Sequence, residues 1–212
     1  MTPIRKQYLT AAETALDLLG ASAVAAAWTE ASALEGFTVG GLAAHLASQI
    51  TSGAGALDAD FSGKEVVGVL DHYDRAAWLG SDIGGDCNTA IRERGNDEAG
   101  AGIDAVVTDA GSALKVLHGR LPGLGDDAVG GTSRWPYAMG FDDFLVTRIM
   151  ELVVHADDLA VSVGIDTPEF DADAFDTAMW ILTGLAAARH GQPALVRALA
   201  RAERASGGVN AL

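Results

Sequence analysis

Glu151, His155 and Asp158 lie within RIMELVVHADDLAVSVG, Arg148 to Gly164, and all three are types that bind metal ions or move protons. At about 100° per residue, Thr147, Arg148, Glu151, His155, Asp158 and Ser162 share one arc of a helix. The positions around that arc, Leu145, Ile149, Met150, Leu152, Val154, Ala156, Leu159 and Val163, are apolar. Glu151 and His155 are four apart, so they stack on one face a turn from each other. Such a pair can offer one oxygen and one nitrogen to the same divalent ion. It is more often the pattern of a solvated face, with Arg148, Glu151 and His155 as an ion-pair ladder. Taken alone, the segment leaves both readings open.

A second histidine bears on the choice. In TVGGLAAHLASQI, Leu42, His45, Leu46, Gln49 and Ile50 follow helical spacing, which puts His45 on the face that turns inward. A lone core histidine is commonly satisfied by a carbonyl or a carboxylate. The alternative is a third ligand, because helix bundles build metal sites from inward side chains on facing helices. Two nitrogens and one carboxylate leave a fourth position for water or a thiol, which is a catalytic pattern for zinc rather than a closed structural one.

Other candidates are weaker. His72 stands between Asp71 and Asp74 and reads as part of a solvated helix face. His118 and His190 each precede a glycine, where a histidine interacts with the last carbonyls of a helix. Cys87, the one cysteine, lies in GGDCNTA without a CxxC partner and reads as an ordinary free thiol. DTPEFDADAFD lacks the glycine of a calcium-binding loop, and no phosphate-binding glycine loop or GxSxG elbow occurs.

The elements that must carry these residues are helices. Ile4, Tyr8, Ala12, Ala15, Leu16 and Leu19 mark one face of a helix that opens at Thr2-Pro3 and closes near Gly20, with a short helix to follow through Ala27. Thr38 is a candidate N-cap for a helix from Val39 to about Thr51. Further helices are expected over 64–79, in a short run to Arg94, over 97–121, from Phe141 to Val163 with Gly164 as its stop, from Asp171 to His190, and from Pro193 to Arg204. GSDIGGD is read as an interruption, and GDDAVGGTSRWPYAMG as a polar connection whose Trp135-Pro136-Tyr137 either pins the loop or walls a pocket. No strand pairs are evident. The expected fold is all-α, with four principal helices in a bundle plus a short C-terminal helical extension.

Composition narrows the function. At 212 residues and 49% hydrophobic, the chain can bury a core. Its 14 basic and 29 acidic residues give a net charge of −15, which disfavours nucleic acid and anionic lipid. The densest basic patch is RERG at 92–95. Glu13 and Asp17 interrupt what would be the apolar core of a signal peptide, and the uncharged stretch from Gly36 to Leu57 holds polar residues and glycines. With a single cysteine, a cytoplasmic protein without membrane spans is expected.

Two motifs together resemble a known family: Trp28 followed by GFTVGGLAAHLA, Gly36 to Ala47, and TRIMELVVHADDLAVSVG, ending at Gly164. They are similar to the mycothiol-dependent maleylpyruvate isomerase family, within the DinB/YfiT-like metal-binding four-helix bundles. The resemblance covers residues 1 to about 164, more loosely RHGQPALVRALARAERA, and implies a bundle over 1–164 with an extension over 165–212. It implies that His45, Glu151 and His155 hold a divalent metal, most simply Zn2+; Arg148 and Asp158, one turn away on the same stripe, would then stand around the ligands. It also implies mycothiol or a similar small thiol as co-substrate and a small electrophilic partner. The chemistry is then thiol transfer, addition, or maleylpyruvate-type cis-trans isomerisation. The family's isomerases take a catalytic arginine from a separate C-terminal domain, a part for which Arg197, Arg201 and Arg204 are the candidates here. A non-enzymatic metal-binding bundle with a binding, sensing or structural role is the alternative.

Overall fold

Thr2 caps the first helix through its side chain, and Pro3 opens it, which starts α1 (Pro3–Leu19) where the sequence puts it. The computed structural model describes residues 1–76, 79, 84–205 and 207–212. After the short α2 (Ser22–Ala26), Thr38 accepts from the Gly41 amide at 2.9 Å and caps α3 (Val39–Ala56). That helix runs past the expected stop near Thr51. Four helices pack into the bundle: α1, α3, α6 (Ile103–Arg120) and α7 (Phe141–Val163). Tyr8, Leu19, Leu42, Leu46, Ile50, Leu117, Leu145 and Ile149 are fully buried between them.

The residues read as a helix over 64–79 divide instead into β1 (Glu65–Val67) and α4 (Val69–Asp74), and the rest of that span lies partly outside the described residues. The expected interruption at GSDIGGD lies largely outside them too. The chain continues with α5 (Asp86–Ala99). The single helix expected over 97–121 is two helices, because Gly102, at φ 86°, takes a left-handed turn between α5 and α6.

The expectation of no strands is also corrected. Within the polar connection, β2 (Val129–Gly130) and β3 (Tyr137–Gly140) form, and β3 pairs antiparallel with β2 and parallel with β1. This small sheet leads directly into α7, which Gly164 ends in the left-handed conformation. Arg5 braces the same region from α1. Though buried, it donates to the Asp142 carboxylate at 2.7 Å and to the carbonyls of Leu124 and Gly125.

The last helices are α8 (Ala172–His190), capped by Asp171 and packed along α7 and α1, and α9 (Gln192–Ala200), which ends before the expected Arg204. Among the described residues no helix is long and apolar enough to cross a membrane.

One crossing matters for the site. A Cβ on Gly95 of α5 would lie 2.8 Å from the Gly41 carbonyl oxygen of α3, so the two helix backbones meet where only glycine fits. Asn96 then reaches Thr38, accepting from its amide at 3.0 Å. This contact lays Arg92 and Arg94 along the same cavity as His45.

Candidate metal centre

Helix α3 delivers His45 and α7 delivers Glu151 and His155, and the bundle packs the two helices side by side. One potential ligand atom from each residue lies within 4.8 Å of those of the other two, and this is the one such group among the described residues. The rings of His45 and His155 meet edge to face, with centroids 4.7 Å apart. The solvated-face reading of Glu151 and His155 is set aside by burial, since their side chains are only 14% and 15% exposed.

His155 lies between two carboxylates. Its Nε2 is 3.0 Å from Glu151 Oε2, and its Nδ1 is 3.0 Å from Asp158 Oδ2. Burial alone would lower its pKa, but the hydrogen bonds to Asp158 and Glu151, and their charges, raise it to about 9. Glu151 moves the other way. Burial would raise it, while the bond and charge of His155, with Arg148 and His45 beyond, hold it down at about 2. Without an ion, therefore, a proton joins these two ligand atoms. His45 is kept neutral, its pKa lowered to about 3 by burial and by His155, so its ring nitrogen keeps a lone pair to donate.

Donor chemistry fits a divalent ion of zinc type: two imidazole nitrogens, one carboxylate oxygen, and a carboxylate behind one imidazole to fix its tautomer. Arg148 works at longer range. It bonds the Gln49 Oε1, and Gln49 Nε2 donates to the His45 backbone carbonyl at 2.9 Å, which ties α7 to α3 just behind the ligands. The Arg148 guanidinium lies over Trp135 and Phe144, 5.8 and 5.4 Å from their ring centres.

These three side chains open into a cavity of about 1,110 Å³. Gly131 to Trp135, the segment between β2 and β3, form part of its wall. Trp135 is held in place by stacking on Tyr137 and by the tilted ring of His72, and its carbonyl accepts from Lys64 Nζ at 2.7 Å. Of Trp135-Pro136-Tyr137, expected either to pin the loop or to wall a pocket, Trp135 lines the cavity, whereas Tyr137 begins the central strand, in which Met139 is fully buried.

Several expected roles change. His72 is buried, not solvated: its Nδ1 pairs with the Tyr137 hydroxyl at 3.0 Å, and burial lowers its pKa to about 4. His118 pairs with Glu13 at 3.0 Å, and His190 donates to the Asn210 carbonyl at 2.9 Å, so neither turns to its own helix end. Arg197, Arg201 and Arg204 are not among the described residues lining the cavity; the extension contributes Arg189 instead. Cys87 is a free thiol, half-buried in the cavity wall. Sequence reasoning passed over Arg94, Arg134 and Arg189, although RERG had marked Arg94 as part of the densest basic patch.

With this geometry in view, the family described as the mycothiol maleylpyruvate isomerase N-terminal domain matches residues 9–160. The chain belongs to that family. The match takes in the bundle helices, the small sheet and all three converging residues, and it stops short of Arg189. No curated protein and no solved structure matches the chain. For a mycothiol maleylpyruvate isomerase N-terminal domain, a mostly helical bundle with inward polar side chains is the architecture at hand.

Proposed function

We propose that this chain is a metal-dependent enzyme that uses a low-molecular-weight thiol, mycothiol or a close analogue, to attack a small electrophile. In this reading residues 1–164 are the metal-binding bundle, residues 165–212 are the extension packed on it, and His45, Glu151 and His155 hold a zinc ion. The observation that carries the proposal is the convergence of these three donors in the wall of a large cavity, in a chain of a mycothiol-related family. The ion, when bound, lowers the pKa of a coordinated thiol and so supplies thiolate at neutral pH.

The chain's own residues set the conditions. Burial keeps His45 neutral and Glu151 stays ionised, so both are ready to donate. Asp158 accepts from the Nδ1–H of His155, which leaves Nε2 facing Glu151 and the site. Arg148 and Gln49 fix the spacing of the two ligand helices, and the Trp135 ring lies against the Arg148 guanidinium in the cavity wall. At about 1,110 Å³ the cavity is at the upper end of what one small ligand fills, so a thiol and an electrophile fit together. Transfer and cis-trans isomerisation follow from the same attack, and differ in whether the sulfur stays on the product or leaves again. A net charge of −15 sets the partners among small molecules rather than nucleic acids.

Elemental analysis of the purified chain and of His45→Ala tests the metal, with about one zinc per chain expected in the first and almost none in the second. Mycothiol titrated into cobalt-substituted protein tests the thiol. A spectrum unchanged at saturating thiol, in a fully loaded site, counts against the enzyme and leaves a metal-binding bundle.

A further inference from the structure

The cavity is more basic than the molecule around it. Although acids outnumber bases by 29 to 14 in the chain, the cavity wall includes five arginines, Arg92, Arg94, Arg134, Arg148 and Arg189, and four acids. Two of those acids, Glu151 and Asp158, are engaged by His155. Among the arginines, Arg148 is engaged by Gln49 and Thr147, and Arg92 donates to Thr89. Among the described residues Arg94 has only a loose approach to Glu98, at 3.9 Å. Arg134 has no hydrogen bond or ion pair with the described residues, and it stands on the wall segment between β2 and β3.

Guanidinium groups gathered in a half-enclosed space repel one another, and the repulsion is stronger there than in open water. Consistent with that, burial and then the charges of Arg94 and Arg148 hold the Arg134 pKa below its usual value, with Glu98 in partial opposition. Arg94 is also close enough to His45 to disfavour its protonation, which places this positive charge beside the metal centre. An anion set between Arg94 and Arg134 would relieve the repulsion. The planar fork of arginine matches a carboxylate in two parallel hydrogen bonds.

We propose that Arg94 and Arg134 form an anion subsite next to the metal centre, and that it holds a carboxylate of the electrophilic co-substrate. The subsite's place in catalysis rests on the thiol-enzyme reading above; its capacity to bind an anion does not. Arg189, exposed on the wall at the end of α8, adds to the positive potential without being required by the proposal.

The test uses the full chain stripped of metal by a chelator, so that no carboxylate binds at an ion, and calorimetry with succinate, monomethyl succinate and dimethyl succinate. These probes are saturated and leave Cys87 unmodified. Saturable binding is expected for succinate at low salt, weaker for the monoester, and absent for the diester. Arg134→Gln and Arg94→Gln, each with an unchanged circular dichroism spectrum, are expected to weaken succinate about tenfold or more, as loss of a charge-assisted pair does. Arg120→Gln, remote and paired with Asp58, should bind as the parent does. Equal affinity for diacid and diester, undiminished affinity in both variants, or no saturable binding to the parent overturns the subsite. The charge series on the parent decides the matter even where a variant fails to fold. Loss of thiol coordination with succinate binding intact would instead overturn the proposed function and spare the subsite.

Discussion

His155 connects the chemistry of the site to its pH dependence. Its pKa in the folded chain, about 9, is above the ordinary 6.5. The stability this adds to the metal-free protein is therefore complete below pH 6.5 and is lost as pH rises through about 9. A metal competes for the same nitrogen. Metal affinity should then rise with pH across that window, and uptake at pH 7 should release about one proton. Calorimetry in buffers of different ionisation heat measures that proton directly, and uptake without release would contradict the assignment of His155. Asp158 acts through His155 rather than on the ion. Asp158→Asn should cost metal affinity about 10- to 100-fold, read by competition with a chromophoric chelator, with the helical spectrum intact. His72 has the reverse sign: neutral because buried, with a pKa of about 4, it lowers stability as pH falls below 6.5, the more so toward pH 4. An acid titration of thermal stability should show a smaller loss over that range in His72→Phe.

Helices α3, α5 and α7 set where these side chains meet. Gly95→Ala would drive a methyl against the Gly41 carbonyl, 2.8 Å away, and should cost about 1–3 kcal/mol in a denaturant midpoint. It should also weaken anion binding, since α5 carries Arg94 to the cavity; an unchanged midpoint would mean the helices part easily. The elements legible in the sequence were those whose signals are local. Thr38 as a cap, Pro3 at a helix start, Gly164 as a stop and the inward spacing of Leu42, Leu46 and Ile50 all belong to one helix each, and so did the stacking of Glu151 and His155. What was not legible depends on distant partners. The strands Glu65–Val67 and Tyr137–Gly140 are too short to show alternation, and they pair across some seventy residues of chain. His72 looked solvated because Asp71 and Asp74 flank it, whereas Trp135 and Tyr137 arrive from far along the sequence to bury it. The break at Gly102 was passed over although Gly100 and Gly102 mark it, because the left-handed angle that makes one of them a turn is set by how α5 and α6 pack. Arg134 had no periodic context at all, lying in a loop whose course the sheet decides.

For the whole molecule, a chain of net charge −15 carries a cavity whose wall holds five arginines against four acids, so an anion is favoured there over the rest of the molecule. Binding of a charged co-substrate should therefore weaken as salt rises, while binding of a neutral thiol should change little; parallel titrations at low and high ionic strength measure the difference. The site itself depends on the bundle holding α3 and α7 together around one shell of donor atoms. X-ray absorption at the zinc edge of the loaded protein, recorded with and without saturating mycothiol, addresses that shell most directly. A shell of nitrogen and oxygen alone at about 2.0–2.2 Å is expected without thiol, and one added sulfur at about 2.3 Å with it. The same light-atom shell before and after thiol, or sulfur already present without it, would contradict a thiol-activating centre at His45, Glu151 and His155.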